Sequence, residues 1–367
     1  MGRAGEGLSP INRPDHASQP TMSAYLNTRV SLYAGRLWRD EALDALVDVA
    51  DDAMADALTR RGLPQLAAGY GTLTVQQDSR SLEQRIIAQI LDETRVLIRP
   101  LSGAARTFLT FWTARFEVSN AKTLLRSKMT GERPAAVLAR LTPMGAFGRL
   151  DNQDLAHAED VGELLRRLEA GPYAGIVRHA RRAFEQSRDP FNLDAALDHG
   201  YYEGLTLRAQ PLEDALGAPF RSLMANLIDR INLVWLLRYR FNYKLPPAQV
   251  YYLLVGSRYS LPSSRLQALA ALDSLEAVLA ALPAALQLQL SGAADIPGVF
   301  ARMERAAAEQ ALRVLRSGAP AIARAFAYLI LRERDLRAVR AVLRGRHLGL
   351  AEADIRQALQ RAPVGGV

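Results

Sequence analysis

The chain of 367 residues contains no cysteine. That excludes disulfides, thiolate metal sites and a cysteine nucleophile, and it fits a reducing compartment. Lysine is nearly absent too: Lys122, Lys128 and Lys244 are the only three, so 43 of the 46 basic residues are arginine. The pair Gly-Lys never occurs, which rules out a P-loop, and neither a GxGxxG nor a GxSxG pattern is present. The five histidines, His16, His157, His179, His199 and His347, are scattered and never stand four apart around a glutamate. No general acid–base pair can be nominated from spacing. The longest uncharged stretch, Ala277 to Ala294, is broken by Pro283, Gln287, Gln289, Ser291 and Gly292. About 20 mostly apolar residues are needed to span a bilayer, so no membrane-crossing segment is expected.

What is present is hydrophobic patterning at helical period. Hydrophobic residues make up 49% of the chain, a globular value. Residues 1–22 carry no patterned apolar run and are expected to form a disordered tail. In ALDALVDVADDAMADAL, residues Leu43, Leu46, Val47, Val49 and Ala50 recur on one helical face with Asp opposite. Leu164, Leu165 and Leu168 do the same before Gly171-Pro172. Breakers at Gly131–Pro134, Thr142-Pro143, Pro246-Pro247 and Leu261-Pro262 separate the other helices. The formal net charge of +8 is compatible with an acidic partner or an anionic membrane surface. It is the only support for a basic adaptor or nucleic-acid-binding protein, and no recognition motif accompanies it.

An internal repeat organises the chain. EVSNAKTLLRSK (117–128), DRINLVWLLRYR (229–240) and DLRAVRAVLRGR (335–346) align without gaps. Each opens with an acid, Glu117, Asp229 or Asp335. An arginine follows nine residues later, Arg126, Arg238 or Arg344, and another base two beyond that, Lys128, Arg240 or Arg346. Asn120 matches Asn232, whereas the third copy has Ala338. Offsets of 112 and 106 residues exceed any solenoid period, so each copy reads as a small helical domain. The expected units are 23–132, 133–246 and 247–367. Acids early in a helix and bases late in it suit the helix dipole, which would account for the three acids without further function. Asn120 and Asn232 are expected to hydrogen-bond locally or between helices.

Columns four, seven and eleven apart share a helical face. In the first copy they are Arg115, Ser119, Lys122 and Arg126, and in the third Glu333, Arg337, Arg340 and Arg344. The middle copy has Leu227, Ile231, Val234 and Arg238. The two basic stripes are expected to face solvent or a charged partner, which makes Arg115, Lys122, Arg126, Arg337, Arg340 and Arg344 candidate partner contacts. The apolar stripe is expected to pack internally or against another subunit.

With these motifs in order, the chain resembles the C subunit of V/A-type rotary ATPases, whose eukaryotic counterpart is the V-ATPase d subunit. The resemblance rests on AYLNTRVSLYAGRLWRDEALDALVD, FEVSNAKTLLRSK, LDHGYYEGL (197–205), IDRINLVWLLRYRFNY and YLILRERDLRAVRAVLRGRHLGLAEADIRQAL, and covers about residues 24–361. Ala338, the N-terminal extension and Pro246-Pro247 depart from the family pattern. The resemblance implies an all-α fold of three similar helical domains arranged as a funnel with pseudo-threefold symmetry. It implies a non-catalytic central-stalk subunit, without cofactors, on the cytoplasmic side of the membrane. There it would link the shaft subunits D and F to the proteolipid ring and couple ATP hydrolysis or synthesis to transport of H⁺ or Na⁺. Anionic lipid headgroups are a further candidate partner, and nucleic acid is not one.

Overall fold

The computed structural model describes residues 18–70 and 78–361. Of the expected N-terminal tail, residues 1–17 lie outside the described residues, and Ser18 onward is helical. Helices follow one another along the whole described chain. They are α1 (Ser18–Ala34), α2 (Asp40–Val47), α3 (Asp51–Arg60), α4 (Pro64–Tyr70), α5 (Asp78–Ile98), α6 (Gly103–Thr130), α7 (Pro134–Leu138), α8 (Asn152–Ala156), α9 (Val161–Glu169) and α10 (Ala174–Ser187). There follow α11 (Pro190–Leu216), α12 (Ala218–Leu237), α13 (Pro247–Leu253), α14 (Ser263–Ala270), α15 (Leu275–Ala280), α16 (Ala284–Gln289), α17 (Ile296–Arg316), α18 (Ala321–His347) and α19 (Glu352–Arg361). No strand occurs among the described residues, and the fold is all-α.

Local chemistry sets the boundaries. Pro134, Pro190 and Pro247 open α7, α11 and α13, where a missing N–H costs nothing. Asp151, Asp160, Asp189, Ser274 and Asp295 cap helix starts by accepting backbone N–H bonds. Gly131 ends α6 in the left-handed conformation at φ +66°. The stretch ALDALVDVADDAMADAL forms two helices, α2 and α3, with the break after Val47.

Six long helices carry the architecture. Packing runs from α5 to α6, α6 to α11, α11 to α12, α12 to α17, α17 to α18, and from α18 back to α5. The circuit is therefore closed. The three repeated motifs begin on α6, α12 and α18, every second member of it, and the second runs on into a π-helical turn, Arg238–Asn242. Short helices pack outside: Leu43, Leu46, Met54 and Leu58 of α2 and α3 share one apolar cluster with Leu336, Val339, Val342 and Leu343 of α18. An equivalent cluster joins Leu233, Leu236 and Leu237 of α12 to Val250, Leu266 and Val278.

Two sequence expectations change here. The three acids are not at helix starts: Glu117 and Asp335 sit midway along α6 and α18, and Asp229 lies about three turns into α12. A dipole effect confined to the terminal turn cannot explain them. Nor does the whole first basic stripe face solvent. Arg115 and Lys122 are each 3% exposed, because α11 and α18 supply partners over that face of α6. The apolar middle stripe, Leu227, Ile231 and Val234, is buried within this chain itself.

Candidate interaction site

The repeated residues form three copies of one device, a clip in which a long helix grips a short one at both ends. In the first, Glu117 Oε1 accepts the backbone N–H groups of Arg149 (2.6 Å) and Leu150 (2.7 Å), while Oε2 accepts the Tyr173 hydroxyl at 2.5 Å. Eleven residues later, about 16 Å along the helix axis, Lys128 Nζ donates to the carbonyl of Ala156 at 2.6 Å. Leu150 stands two residues before α8, and Ala156 is its last residue. The acid thus satisfies backbone donors ahead of the short helix, and the base satisfies a carbonyl at its C-terminus, where a cation is favoured.

The second clip repeats this on α12. Asp229 accepts the N–H groups of Ser260 and Leu261, both at 3.1 Å. Arg240 donates to the carbonyls of Leu245 and Leu272, both at 3.1 Å, bracketing α14. The third, on α18, grips the other end of the chain. Asp335 accepts the Trp38 N–H at 2.8 Å, two residues before α2. Arg346 donates to the carbonyl of Val47 at 3.0 Å, to that of Val49, and to Asp51 at 2.6 Å.

Asn120 and Asn232 add a reciprocal clamp in two of the three. Asn120 exchanges two hydrogen bonds with the backbone of Thr142, both at 2.8 Å. Asn232 does the same with Val255 at 2.9 and 2.8 Å. These bonds tie each helix to a loop 22 or 23 residues on, beyond the local or interhelical bonds anticipated from sequence. Ala338 has no such side chain, so the third clip holds by its acid and its arginine.

Burial of these carboxylates has an electrostatic consequence. It pushes Asp335 up to about 7, outweighing the Trp38 N–H and the nearby Arg332 and Arg334, with Asp40 adding to the rise. Asp229 is also raised, for the same first reason, against its bonds from Ser260 and Leu261.

The three long helices meet at their upstream ends. Phe108, Phe220 and Phe326 each stand nine residues before their acid, and all three are fully buried. Their rings touch one another, with centroids 5.1, 4.9 and 5.7 Å apart. Phe108 meets the other two edge-to-face, at interplanar angles of 73° and 83°, and such packing adds to simple area burial. The triad is an identical aromatic column just outside the repeated motif, a signal that the sequence reading missed.

Most stripe residues are engaged within the chain. Arg115 pairs with Glu333 at 2.7 Å, and its guanidinium lies 3.9 Å from the Trp112 ring centroid. Lys122 pairs with Asp198 and Arg126 with Asp194, both on α11. Burial raises Asp198 against the pull of Lys122. Arg337 pairs with Glu304, which also takes Arg230, and Arg340 pairs with Glu83 at 3.0 Å. Arg344 is exposed at the far end of the third stripe. Arg238 is half-buried and opens a π-helical turn, Arg238–Asn242. Arg126, Arg340 and Arg344 are the stripe members that keep cationic surface.

A buried pair escaped the sequence reading altogether. Arg332 and Glu93 are both almost inaccessible and make bonds of 2.9 and 3.1 Å, with Tyr328 and Gln89 donating to the same carboxylate at 2.6 and 2.7 Å. No spacing signal links residues 239 apart. Among the described residues no three His, Asp or Glu side chains gather as a metal site. No helix among them is long and apolar enough to cross a membrane.

The chain is similar along much of its length to known proteins. It is 24% identical over 267 residues to the C subunit of the A-type ATP synthase of Methanocaldococcus jannaschii, covering 71% of this chain and 64% of that relative. Against the C subunit of the V-type ATP synthase of Deinococcus radiodurans it is 24% identical over 198 residues, 53% of this chain and 56% of the relative. Against the C subunit of the A-type ATP synthase of Haloquadratum walsbyi it is 24% identical over 345 residues, 91% and 96% of the two chains. The aligned stretches of the first two thus span less than two thirds of those relatives. Residues 26–358, taking in all three clips, match the family profile described as ATP synthase (C/AC39) subunit, and the chain belongs to that family.

Proposed function

We propose that this chain is the non-catalytic central-stalk subunit of a V/A-type rotary ATPase, joining the D/F shaft to the membrane proteolipid ring. On this reading it sits peripherally at the cytoplasmic face and passes torque between ATP chemistry and movement of H⁺ or Na⁺. The observation that carries it is the Phe108–Phe220–Phe326 junction, at which three equivalent long helices converge. A funnel of three related units around one axis accounts for that meeting and for the closed helix circuit. Each unit then comprises a long-helix pair and the short helices its clip holds. The third unit draws its short helices, α2 to α4, from the N-terminal end.

A torque-bearing adaptor must resist shear, and the clips supply that resistance. At the basic ends Lys128, Arg240 and Arg346 make charge-assisted bonds to backbone carbonyls, which are stronger than neutral ones. A single chain meets a symmetric ring only through non-equivalent contacts, and diverged copies provide them. Arg126, Arg340 and Arg344 are the proposed partner contacts, with acidic protein surface or anionic lipid headgroups opposite. Arg115, Lys122 and Arg337, also candidates from the sequence, pair within the chain with Glu333, Asp198 and Glu304 and would support that surface from beneath.

The test is reconstitution of the complex with and without this chain in sealed vesicles. Omission is expected to leave ATP hydrolysis by the head intact while abolishing ATP-driven ion uptake. Ion uptake that persists undiminished without the chain defeats the proposal.

A further inference from the structure

We propose that the point where the three long helices meet holds a small monovalent inorganic anion of halide size. One turn along from the phenylalanine triad lies a cavity of about 60 Å³, lined by residues of all three copies. Arg115 of α6, Leu227 of α12 and Glu333 of α18 occupy the same column of the repeat and all border it. Trp112, Tyr202 and Arg230 form further parts of its wall. The space exceeds the roughly 10–15 Å³ that a cavity needs to admit one water.

Its charged lining is four arginines, Arg115, Arg230, Arg334 and Arg337, against two carboxylates, Glu304 and Glu333. Arg115 and Trp112 are 3% and 5% exposed. Yet the Nε–H of Arg115, the indole Nε1–H of Trp112 and the Nε–H of Arg230 are buried without a hydrogen-bond partner. Buried donors are ordinarily satisfied, so three of them on residues that border one cavity call for an acceptor. Charge points the same way. Arg115 is matched by Glu333, and Arg334 by Asp40 outside the cavity, but Arg230 and Arg337 share the single carboxylate of Glu304. Four arginines thus border the cavity against Glu304 and Glu333, with Asp40 outside, which leaves an excess of one positive charge there. A single monovalent anion balances it and accepts the three orphaned N–H groups together. A neutral water would satisfy donors but leave the charge, and a cation would add to the excess of arginine over Glu304 and Glu333.

Such an ion would act as a pin, drawing α6, α12 and α18 toward one centre. Its removal would loosen the junction while leaving the outer clips in place. The pin belongs to the chain by itself and does not depend on the rotor proposal.

Crystals of the full chain grown with bromide replacing chloride are expected to show an anomalous peak bounded by Trp112, Arg115 and Arg230. In solution at fixed ionic strength, exchanging gluconate for bromide should raise the folded-to-unfolded ratio about tenfold once the halide exceeds its dissociation constant tenfold. Arg230→Gln should lose both the peak and the halide dependence. Trp112→Phe, which deletes one donor and keeps the net charge, should weaken the halide dependence without changing its sign. Ordered water with no bromide signal in the cavity overturns the assignment. So does an identical halide response in wild type and both variants, because that marks non-specific salt effects.

Discussion

Replacement of Asn232 by Ala tests the clip directly. Asn232 is wholly buried, and its amide takes both polar groups of the Val255 backbone, donating at 2.9 Å and accepting at 2.8 Å. Truncation removes two bonds and strands one buried N–H and one buried carbonyl. Each stranded group carries a desolvation penalty of about 1–3 kcal/mol, so the loss is about 2–6 kcal/mol. The effect is local before it is global, since the loop carrying Val255 and Ser260 is released from α12. Hydrogen–deuterium exchange on the purified protein reads it: amides from 255 to 261 should exchange about 30-fold faster or more, at tenfold per 1.4 kcal/mol. The control is Asn226→Ala on the same helix, a half-buried side chain whose amide makes an i, i−4 bond to the Ser222 carbonyl at 2.9 Å. It should change the same amides less than about fivefold, because one bond within a single helix is worth about 1 kcal/mol. If Asn232→Ala and Asn226→Ala prove indistinguishable at these amides, the clamp has no mechanical role and the reasoning fails.

Other consequences are as direct. Asp335 holds a proton in the folded state up to about pH 7 that the unfolded chain releases near 3.8. Stability from its neutral form is therefore complete below pH 3.8 and is lost as pH rises through 7. Wild-type stability relative to Asp335→Asn should fall across that window by at most about 4 kcal/mol, read from urea melts at stepped pH. Glu93→Gln leaves the buried Arg332 guanidinium uncompensated and should cost about 3–5 kcal/mol, while Glu93→Leu with Arg332→Leu should recover part of that in thermal melts. A Cβ on Gly200 would stand 3.0 Å from the Ile176 Cα and 3.2 Å from its carbonyl oxygen, so Gly200→Ala forces α10 from α11. It should destabilise by about 1–3 kcal/mol. Gly175→Ala, with nothing near its Cβ, should be neutral or stabilising by up to about 1 kcal/mol in the same melts.

The motif columns show where sequence reading reaches and where it stops. Glu117, Asp229 and Asp335 stood out because identical jobs keep similar residue types at one spacing, whatever the partner. The partners themselves could not be read. The backbone donors lie 32 and 31 residues downstream of the first two acids, at Arg149 and Ser260, but 297 residues upstream of the third, at Trp38. No linear pattern encodes that inversion. Part of the first basic stripe could not be read for a related reason: periodicity marks a polar face, but a neighbouring helix carrying Asp198 buries Lys122.

Helicity, the threefold internal repeat and the absence of cysteine chemistry were determined by the sequence alone, since they depend on composition and on separations of a few residues, where chain geometry is fixed. Which end of the chain α18 grips, how Phe108, Phe220 and Phe326 find one another, and why Arg230 and Arg337 share the one carboxylate of Glu304 were decided only by the tertiary structure. Those outcomes depend on contacts between residues far apart in the chain, and they arise when six long helices close into a circuit and compete for the same buried space.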